Sequence, residues 1–228
     1  RGLLAAIGIH KDKPFAPDAR MSAILTEAAE VANGTARAIY FRWREDDFLL
    51  YDDRRWHTFF IGGDYEWLRD EGRGGRHLDA RTLFFYVATV NTPAMALEMV
   101  GAGSQYAGTD KDADGNYFDG SKQYRLRLPA NVPAKNFWSI VAYDPQTRSE
   151  LQTGQPFPSR NSQKGDLEMN ADGSVDLLFG PEQPAELQNN WIQTVAGKGW
   201  FTVIRLYGPL EPWFDQSWKP GDVEIVGH

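Results

Sequence analysis

After residue 103 the sequence consists of short runs that alternate apolar and polar residues, separated by tight-turn sequences. Tyr124–Leu128 is the clearest run, because its apolar residues all fall on one face of a strand. Similar runs span 138–143, 167–170, 175–179, 191–195 and 201–207, and turn sequences stand at 114–116, 144–147, 172–174 and 197–199. Strand-sized runs at a spacing of about ten residues predict an antiparallel β-sandwich or barrel.

The sequence before residue 103 has the period of helices instead. Apolar residues recur at i, i+3, i+4 and i+7 from Met21 onward, directly behind the acidic residue Asp18. This pattern predicts a helix over 19–45 with Asp18 as its N-cap, which Asn33 and Gly34 could interrupt.

Residues 42–75 mix charges, aromatic residues and glycines, and they predict loops with a short helix near 64–69. Residues 79–90 fit a helix better than a buried strand, and Pro93 suits the first turn of a further helix through Val100. We therefore expect a helical domain over 1–102, with an extended N-terminal lead-in, followed by a β-sandwich domain over 103–228.

Composition excludes several classes of protein. The 228 residues include no cysteine, which excludes disulfides, Cys-ligated zinc, iron–sulfur clusters and thiol nucleophiles. The 24 Lys and Arg against 31 Asp and Glu give a net charge of −7, which argues against nonspecific binding to nucleic acid. No apolar run approaches the ~18 residues of a membrane span. The sequence does not begin with Met, so we expect a processed or shortened product.

The β half also resembles a known bacterial family. The blocks that carry the resemblance are Tyr124–Ser139, Tyr143–Ser149, Asn170–Asp176, Phe179–Pro181, Asn190–Thr194, Gly197–Phe201 and Arg205–Pro212. In this order they are similar to the domain-of-unknown-function family numbered 1214, which often follows a partner domain of unknown function numbered 1254. The segment from Ile7 through Phe15 onward is similar to the helical region that connects the two domains.

The resemblance implies a jelly-roll domain packed on a small helical domain, with the upstream sandwich domain missing from this sequence. It also implies a periplasmic or secreted protein. It supplies no catalytic residues, although some members of the family carry hydrolase labels. We expect a small-molecule ligand and a homo-oligomer, and neither a nucleic-acid partner nor a cofactor apart from the calcium considered below.

The densest set of candidate ligand-binding residues combines aromatic, amide and charged side chains in and near the β runs. Its members are Trp138, Tyr143, Asp144, Arg148, Gln152, Trp191, Gln193, Arg205 and Tyr207. A guanidinium beside aromatic faces and an amide suits a carboxylate or a sugar. The alternative is architectural, since large aromatic residues fill sandwich cores and an arginine can pair with Asp144 or another carboxylate.

One acidic segment resembles the opening of a calcium loop. Asp110, Asp112, Asp114 and Asn116 alternate as oxygen ligands do at the start of such a loop, with Gly115 among them. The twelfth position, however, is Ser121 instead of glutamate. The alternative is an acidic β-hairpin turn with Asp114 and Gly115 at its tip.

Nucleophilic catalysis lacks its usual motifs, because the sequence has neither a Gly-x-Ser-x-Gly elbow nor a cysteine. His57 and His77 are the candidate general bases, and the alternative for each is a hydrogen-bonded or surface histidine. The leading hypothesis is an exported hydrolase that binds a small polar or amphipathic molecule in an aromatic pocket. The alternative is a non-catalytic binding or interaction module for a carbohydrate or another small ligand. A histidine beside a carboxylate at a pocket wall would favour the enzyme.

Overall fold

The computed structural model describes residues 2–70, 72–88 and 90–226. The chain divides into two compact units, residues 1–44 and residues 45–228. All the strands and all the candidate site residues lie in the second unit. The first strand begins at Ser104, next to the domain boundary that we expected near residue 103. The division into a helical domain and a β-sandwich domain at that position stays a prediction.

The first unit contains two helices, α1 (Gly2–Ala6) and α2 (Ala19–Phe41). The carboxylate of Asp18 accepts a hydrogen bond of 2.7 Å from the backbone N–H of Met21, which confirms it as the N-cap. The helix ends at Phe41, four residues before the predicted position 45, and it continues through Asn33 and Gly34.

The second unit opens with two 3-10 turns, Asp46–Phe48 and Ile61–Gly63, followed by α3 (Leu78–Val87) and α4 (Pro93–Ala96). The helix predicted over 79–90 is confirmed in α3, whereas α4 ends well before Val100. The short helix predicted near 64–69 is wrong. The carboxylate of Asp64 accepts hydrogen bonds from the backbone N–H groups of Glu66 and Leu68, and this local bonding replaces a helical turn.

Within the described residues, eight strands form two four-stranded sheets. The strands are β1 (Ser104–Thr109), β2 (Tyr124–Leu128), β3 (Ala134–Tyr143), β4 (Ser159–Asn161), β5 (Val175–Gly180), β6 (Trp191–Gln193), β7 (Phe201–Pro209) and β8 (Val223–Ile225). The first sheet has the order β1-β7-β3-β4 and the second β6-β5-β2-β8. All neighbours are antiparallel except β5 and β6, and a short helix α5 (Glu211–Phe214) follows β7. The fold is therefore β-rich and mixed, with helices.

The alternating runs at 124–128, 138–143, 175–179 and 201–207 are confirmed as strands, and the run at 191–195 is a strand as far as Gln193. The strand predicted over 167–170 is wrong. Its backbone bonds to a side chain instead of a neighbouring strand, since Asn190 accepts from the N–H of Glu168 and donates to its carbonyl. The pattern also missed β1, β4 and β8.

The inner faces of the two sheets share one hydrophobic core. The first sheet contributes Trp138, Ile140, Ala142, Ile204 and Leu206, and the second contributes Leu126, Leu128, Leu177 and Phe179. Trp200 stacks between Phe118 and Phe179, with ring centroids 4.2 and 4.6 Å apart. Because side chains alternate along a strand, the other face of the first sheet is left for different contacts.

Candidate functional site

The outer face of the first sheet carries a different set of side chains from its inner face. Tyr143 lies on this face, because Ala142 beside it points into the core. Arg205 and Tyr207 lie on the same face of β7, and Tyr106 of β1 stands directly opposite Arg205. All four side chains are partly exposed.

Arg205 lies between two tyrosine rings. Its guanidinium carbon is 4.9 Å from the ring centroid of Tyr106 and 4.1 Å from that of Tyr207. Its Nε and Nη2 both donate to the hydroxyl of Ser104, at 3.3 and 3.2 Å. No carboxylate of residues 2–70, 72–88 or 90–226 forms an ion pair with it. Two aromatic faces and one neutral hydroxyl therefore hold this cation.

A cavity of about 240 Å³ opens beside this face, and we call it the aromatic pocket. The sheet contributes Tyr106, Tyr143, Phe201 and Val203 to its lining. The segments before the sheet contribute Phe59, Phe60, Phe84, Val87, Ala88 and Met95, and Arg148 completes the wall. Apolar and aromatic side chains thus form most of the surface, which is the usual character of small-molecule sites.

Arg148 is the one charged side chain among the described residues that line the aromatic pocket. Its backbone has a φ of 60°, in the left-handed region that non-glycine residues seldom adopt. Its Nε donates to the carbonyl of Tyr86 at 3.1 Å, its Nη1 donates to the carbonyl of Gln146, and its guanidinium lies 4.4 Å from the Tyr86 ring centroid. Within the described part of the chain, no carboxylate pairs with this guanidinium.

Asp144, the expected partner of an arginine, is engaged elsewhere. It lies 3.0 Å from Lys198 Nζ and accepts a 2.7 Å bond from the backbone N–H of Gln146. Burial raises the pKa of Asp144, but these hydrogen bonds outweigh it and hold the pKa below its usual value. Asp144 therefore stabilises the turn after β3 and does not neutralise Arg148.

Tyr143 lines the pocket, and its hydroxyl can donate a hydrogen bond. Its ring stacks on Phe201 with centroids 5.2 Å apart. Burial raises the pKa of Tyr143 to about 12, with Glu150 adding to the effect, so the phenol stays protonated at neutral pH. The hydroxyls of Tyr143 and Tyr106 make no hydrogen bond to another described residue.

The predicted ligand-binding residues separate into two groups. Tyr143 and Arg148 line the aromatic pocket, and Arg205 and Tyr207 adjoin it through Tyr106. The remaining members point elsewhere: Trp138 lies in the core, Trp191 donates to the Gly180 carbonyl, Gln152 is exposed, and Gln193 bonds to Gly154 and Pro181.

The sequence did not identify the lining residues Tyr106, Phe59, Phe60 and Phe84. Tyr106 lies in a strand without clear alternation, and the three phenylalanines lie outside the β half. Aromatic side chains indicate burial, but the sequence contains no signal that these four residues line the same pocket.

A second cavity, of about 760 Å³, lies at the start of α3, and we call it the His77 cavity. His77 Nε2 is 3.2 Å from the Asp47 carboxylate and 3.8 Å from that of Glu45. Arg69 donates two bonds to Glu45, at 2.9 and 2.7 Å, and its Nη2 lies 3.3 Å from His77 Nδ1. The backbone N–H of Ala80 also points at Nδ1, at 3.4 Å, so His77 caps the helix.

These contacts fix the proton on the His77 ring. Nδ1 faces two N–H donors and must accept, so Nε2 carries the proton and donates to Asp47. Glu45, Asp47 and His77 bring one ligand atom each within 4.8 Å of one another, as a metal site would require. A metal on Nε2 would need the proton to move to Nδ1, against the donors there. The residues therefore fit a paired-charge network better than a metal site.

His57 lies away from solvent. Its side chain is fully buried, and its ring packs edge-on against Phe59 with centroids 5.2 Å apart. Burial, together with the positive charge of Lys111, lowers the pKa of His57 to about 3, so the ring is neutral at physiological pH.

The candidate calcium segment has the geometry of a hairpin turn. Asp112 accepts a 2.8 Å bond from the backbone N–H of Asn116, and Gly115 has a φ of 86°. Asp114 and Asn116 are exposed. No three carboxylates of this segment bring ligand atoms within 4.8 Å of one another.

Asp110 differs from the other acids of that segment. Its side chain is 2 % exposed, and neither carboxyl oxygen bonds to any described residue. Burial raises the pKa of Asp110 to about 7, and the neighbouring Lys111 limits the rise.

In the part of the chain that the structure describes, no helix is both long and apolar enough to cross a membrane.

Comparison with known proteins places the β half in a family context. Residues 103–211 match the model of the family described as protein of unknown function (DUF1214). The match covers β1 to β7 and includes Tyr106, Tyr143, Arg148 and Arg205, so most of the sheet side of the aromatic pocket lies within it. The sequence matches none of the curated proteins compared with it.

Two solved structures resemble this one. The VPA0106 protein from Vibrio parahaemolyticus aligns over 98% of this chain and 49% of its own, with 18% identity and a TM-score of 0.51. A putative uncharacterized protein from Burkholderia cenocepacia aligns over 99% of this chain and 47% of its own, with 14% identity and a TM-score of 0.41. The chain thus spans about half the length of these structures, and the first likeness concerns the fold alone.

Proposed function

We propose that this protein binds a small amphipathic molecule in the aromatic pocket. The observation that carries the proposal is a cavity of about 240 Å³ whose mainly apolar lining surrounds a guanidinium without a carboxylate partner in the described residues. An apolar ligand body would remove aromatic surface from water, at about 25 cal/mol per Å². Among the lining residues that the structure describes, the pocket offers no carboxylate or histidine, which favours binding over acid–base catalysis.

The test fills the pocket with a larger side chain. Val203→Trp places an indole inside the aromatic pocket, and Ile225→Trp adds the same side chain at an exposed position on β8. With 3-phenylpropan-1-ol as the probe, we expect calorimetry to detect binding to the wild type and to Ile225→Trp, and none to Val203→Trp. Equal binding to both variants would place the probe elsewhere and would overturn the proposal.

A hydrolase is the second candidate, and the His77 cavity is the observation that favours it. His77 lies within hydrogen-bond reach of Asp47 at the wall of a cavity large enough for a substrate. An esterase and amidase panel on the wild type and His77→Gln tests this function. Turnover that disappears in a folded His77→Gln variant would support a hydrolase, and an inactive wild type would count against it.

The remaining expectations are proposals about the wider molecule. Two four-stranded, mainly antiparallel sheets around one core support a jelly-roll assignment. The family resemblance supports a periplasmic or secreted location and a partner domain of the family numbered 1254. Homo-oligomerisation is a further proposal, and light scattering of the purified protein tests it.

A further inference from the structure

We infer that the ligand of the aromatic pocket carries a carboxylate, which Arg148 binds together with the hydroxyls of Tyr143 and Tyr106. This inference rests on the proposed function and adds the chemical class of the ligand. It concerns the polar end of the molecule, whereas the apolar lining accounts for the rest.

The polar side chains of the pocket wall that the structure describes all have a proton to donate. They are Arg148, Tyr106 and Tyr143, and the described lining residues include no aspartate, glutamate, asparagine or glutamine. A guanidinium can only donate, and a phenol that stays protonated offers its O–H. The ligand group that satisfies such a wall is a hydrogen-bond acceptor, and a negative charge would also neutralise the guanidinium.

Arg148 is oriented before any ligand arrives. Two carbonyl oxygens hold its Nε and Nη1, and the Tyr86 ring supports the guanidinium plane. Nη2 makes no hydrogen bond to a described residue, so this nitrogen remains for a ligand. A side chain fixed in this way loses little conformational freedom on binding, which favours affinity.

The same wall discriminates between classes of acceptor. A sugar offers hydroxyls that must donate as well as accept, and the lining residues that the structure describes include no carboxylate or amide to receive them. A phosphate dianion carries more charge than one guanidinium neutralises. A carboxylate has two oxygens in one plane, which match one Nη2 edge and a neighbouring phenol.

Three probes of the same shape and different charge test the inference. They are 3-phenylpropanoate, 3-phenylpropan-1-ol and 3-phenylpropylammonium, measured by calorimetry at neutral pH and low salt. We expect the carboxylate to bind about tenfold or more tightly than the alcohol, as a charge-assisted hydrogen bond implies, and the ammonium to bind most weakly.

Two arginine variants assign the preference to a residue. Arg148→Gln should reduce carboxylate binding to within about twofold of alcohol binding to the same variant, because the charge that distinguishes the two probes is removed. Arg125→Gln, which removes the same charge from a half-exposed side chain of the other sheet, should keep the preference. If Arg148→Gln does not fold, Tyr143→Phe provides the second variant, with an expected loss of about threefold in carboxylate binding.

The outcomes separate this inference from the proposed function. Equal affinities for carboxylate and alcohol in the wild type would overturn the inference and leave pocket binding in place. A carboxylate preference that survives in Arg148→Gln would overturn the role of that residue. Failure of all three probes to bind the wild type would overturn both proposals for ligands of this size.

Discussion

The aromatic pocket and the His77 cavity each contain a positively charged side chain, but the two side chains differ in whether a carboxylate pairs with them. In the His77 cavity, Arg69 forms two bonds to Glu45, and His77 is bonded on both ring nitrogens. In the aromatic pocket, Arg148 has carbonyl and aromatic contacts but no described carboxylate. A cation that already pairs with a carboxylate of the protein gains little from an anionic ligand. The difference in pairing therefore favours a structural role for the His77 cavity and a binding role for the aromatic pocket.

One helix connects the two cavities. His77 caps the first turn of α3, and Phe84 and Val87 near the other end line the aromatic pocket. The paired charges therefore stabilise an element that forms one wall of the unpaired site. We therefore expect substitutions at the His77 cavity to alter the free energy of unfolding, and substitutions of Arg148 to alter carboxylate binding.

The largest expected effect concerns Asp110, which lacks a partner but faces neither cavity. Its pKa rises from 3.8 to about 7 on folding, so the folded state binds more protons than the unfolded state between those values. Its contribution to stability therefore falls as pH rises from about 4 to about 7. We expect Asp110→Asn to match the wild type at low pH and to be more stable by about 4 kcal/mol at pH 8.

Urea unfolding of the wild type and Asp110→Asn at pH 4.5 and pH 8 measures this difference. A stability difference that is the same at both pH values would show that the carboxyl is neutralised in another way. The buried Asp110 carboxyl would then not lower the free energy of unfolding, although it lacks a hydrogen-bond partner among the described residues.

An intermediate effect is expected at His77. His77→Ala removes the cap of α3 and leaves Asp47 without its donor, so we expect a loss of about 2 kcal/mol in the free energy of unfolding. His77→Asn should recover part of it, because asparagine is a good N-cap. Chemical denaturation of the three proteins checks this order. Unchanged stability in His77→Ala would contradict a structural role for the contacts of His77.

A smaller stability effect is expected at Arg148. Arg148→Gln breaks bonds to two carbonyls near the surface, and we expect a change below about 1 kcal/mol, in contrast to the tenfold loss of carboxylate binding. Thermal and urea unfolding provide the measurement. A stability loss larger than that of His77→Ala would reverse the comparison between the two cavities.

The smallest expected effect is that of divalent cations. Calorimetric titration with zinc or calcium should give no specific heat, because the His77 proton faces Asp47 and the acids of 110–116 do not converge. Saturable zinc binding that disappears in His77→Asn would show that the charge network opens to admit a metal.

Local patterns predicted the elements better than they predicted the site. Asp18 marks the start of α2, and the alternation at 124–128 and 201–207 marks strands, because each signal is contained within a few residues. The segment 167–170 alternates in the same way but bonds to Asn190, a partner that lies far along the chain. Sequence periodicity cannot distinguish a strand from an extended segment that bonds to a side chain.

The candidate site was predicted only in part for a similar reason. Tyr143 and Arg148 lie near each other in the sequence and share the pocket, whereas Trp138 lies on the opposite face of the same strand. Phe59 and Phe84 reach the pocket only through the tertiary fold. Whether Arg148 pairs with Asp144 likewise depends on the other contacts of Asp144, which lies beside Lys198, a residue remote in sequence.

A crystal structure of the protein with 3-phenylpropanoate tests directly whether Arg148 binds a carboxylate in the aromatic pocket. We expect the phenyl ring between Val203 and Phe84, with a carboxylate oxygen within hydrogen-bond distance of Arg148 Nη2. Density for the probe at the His77 cavity, or an aromatic pocket that stays empty at saturating probe, would contradict it.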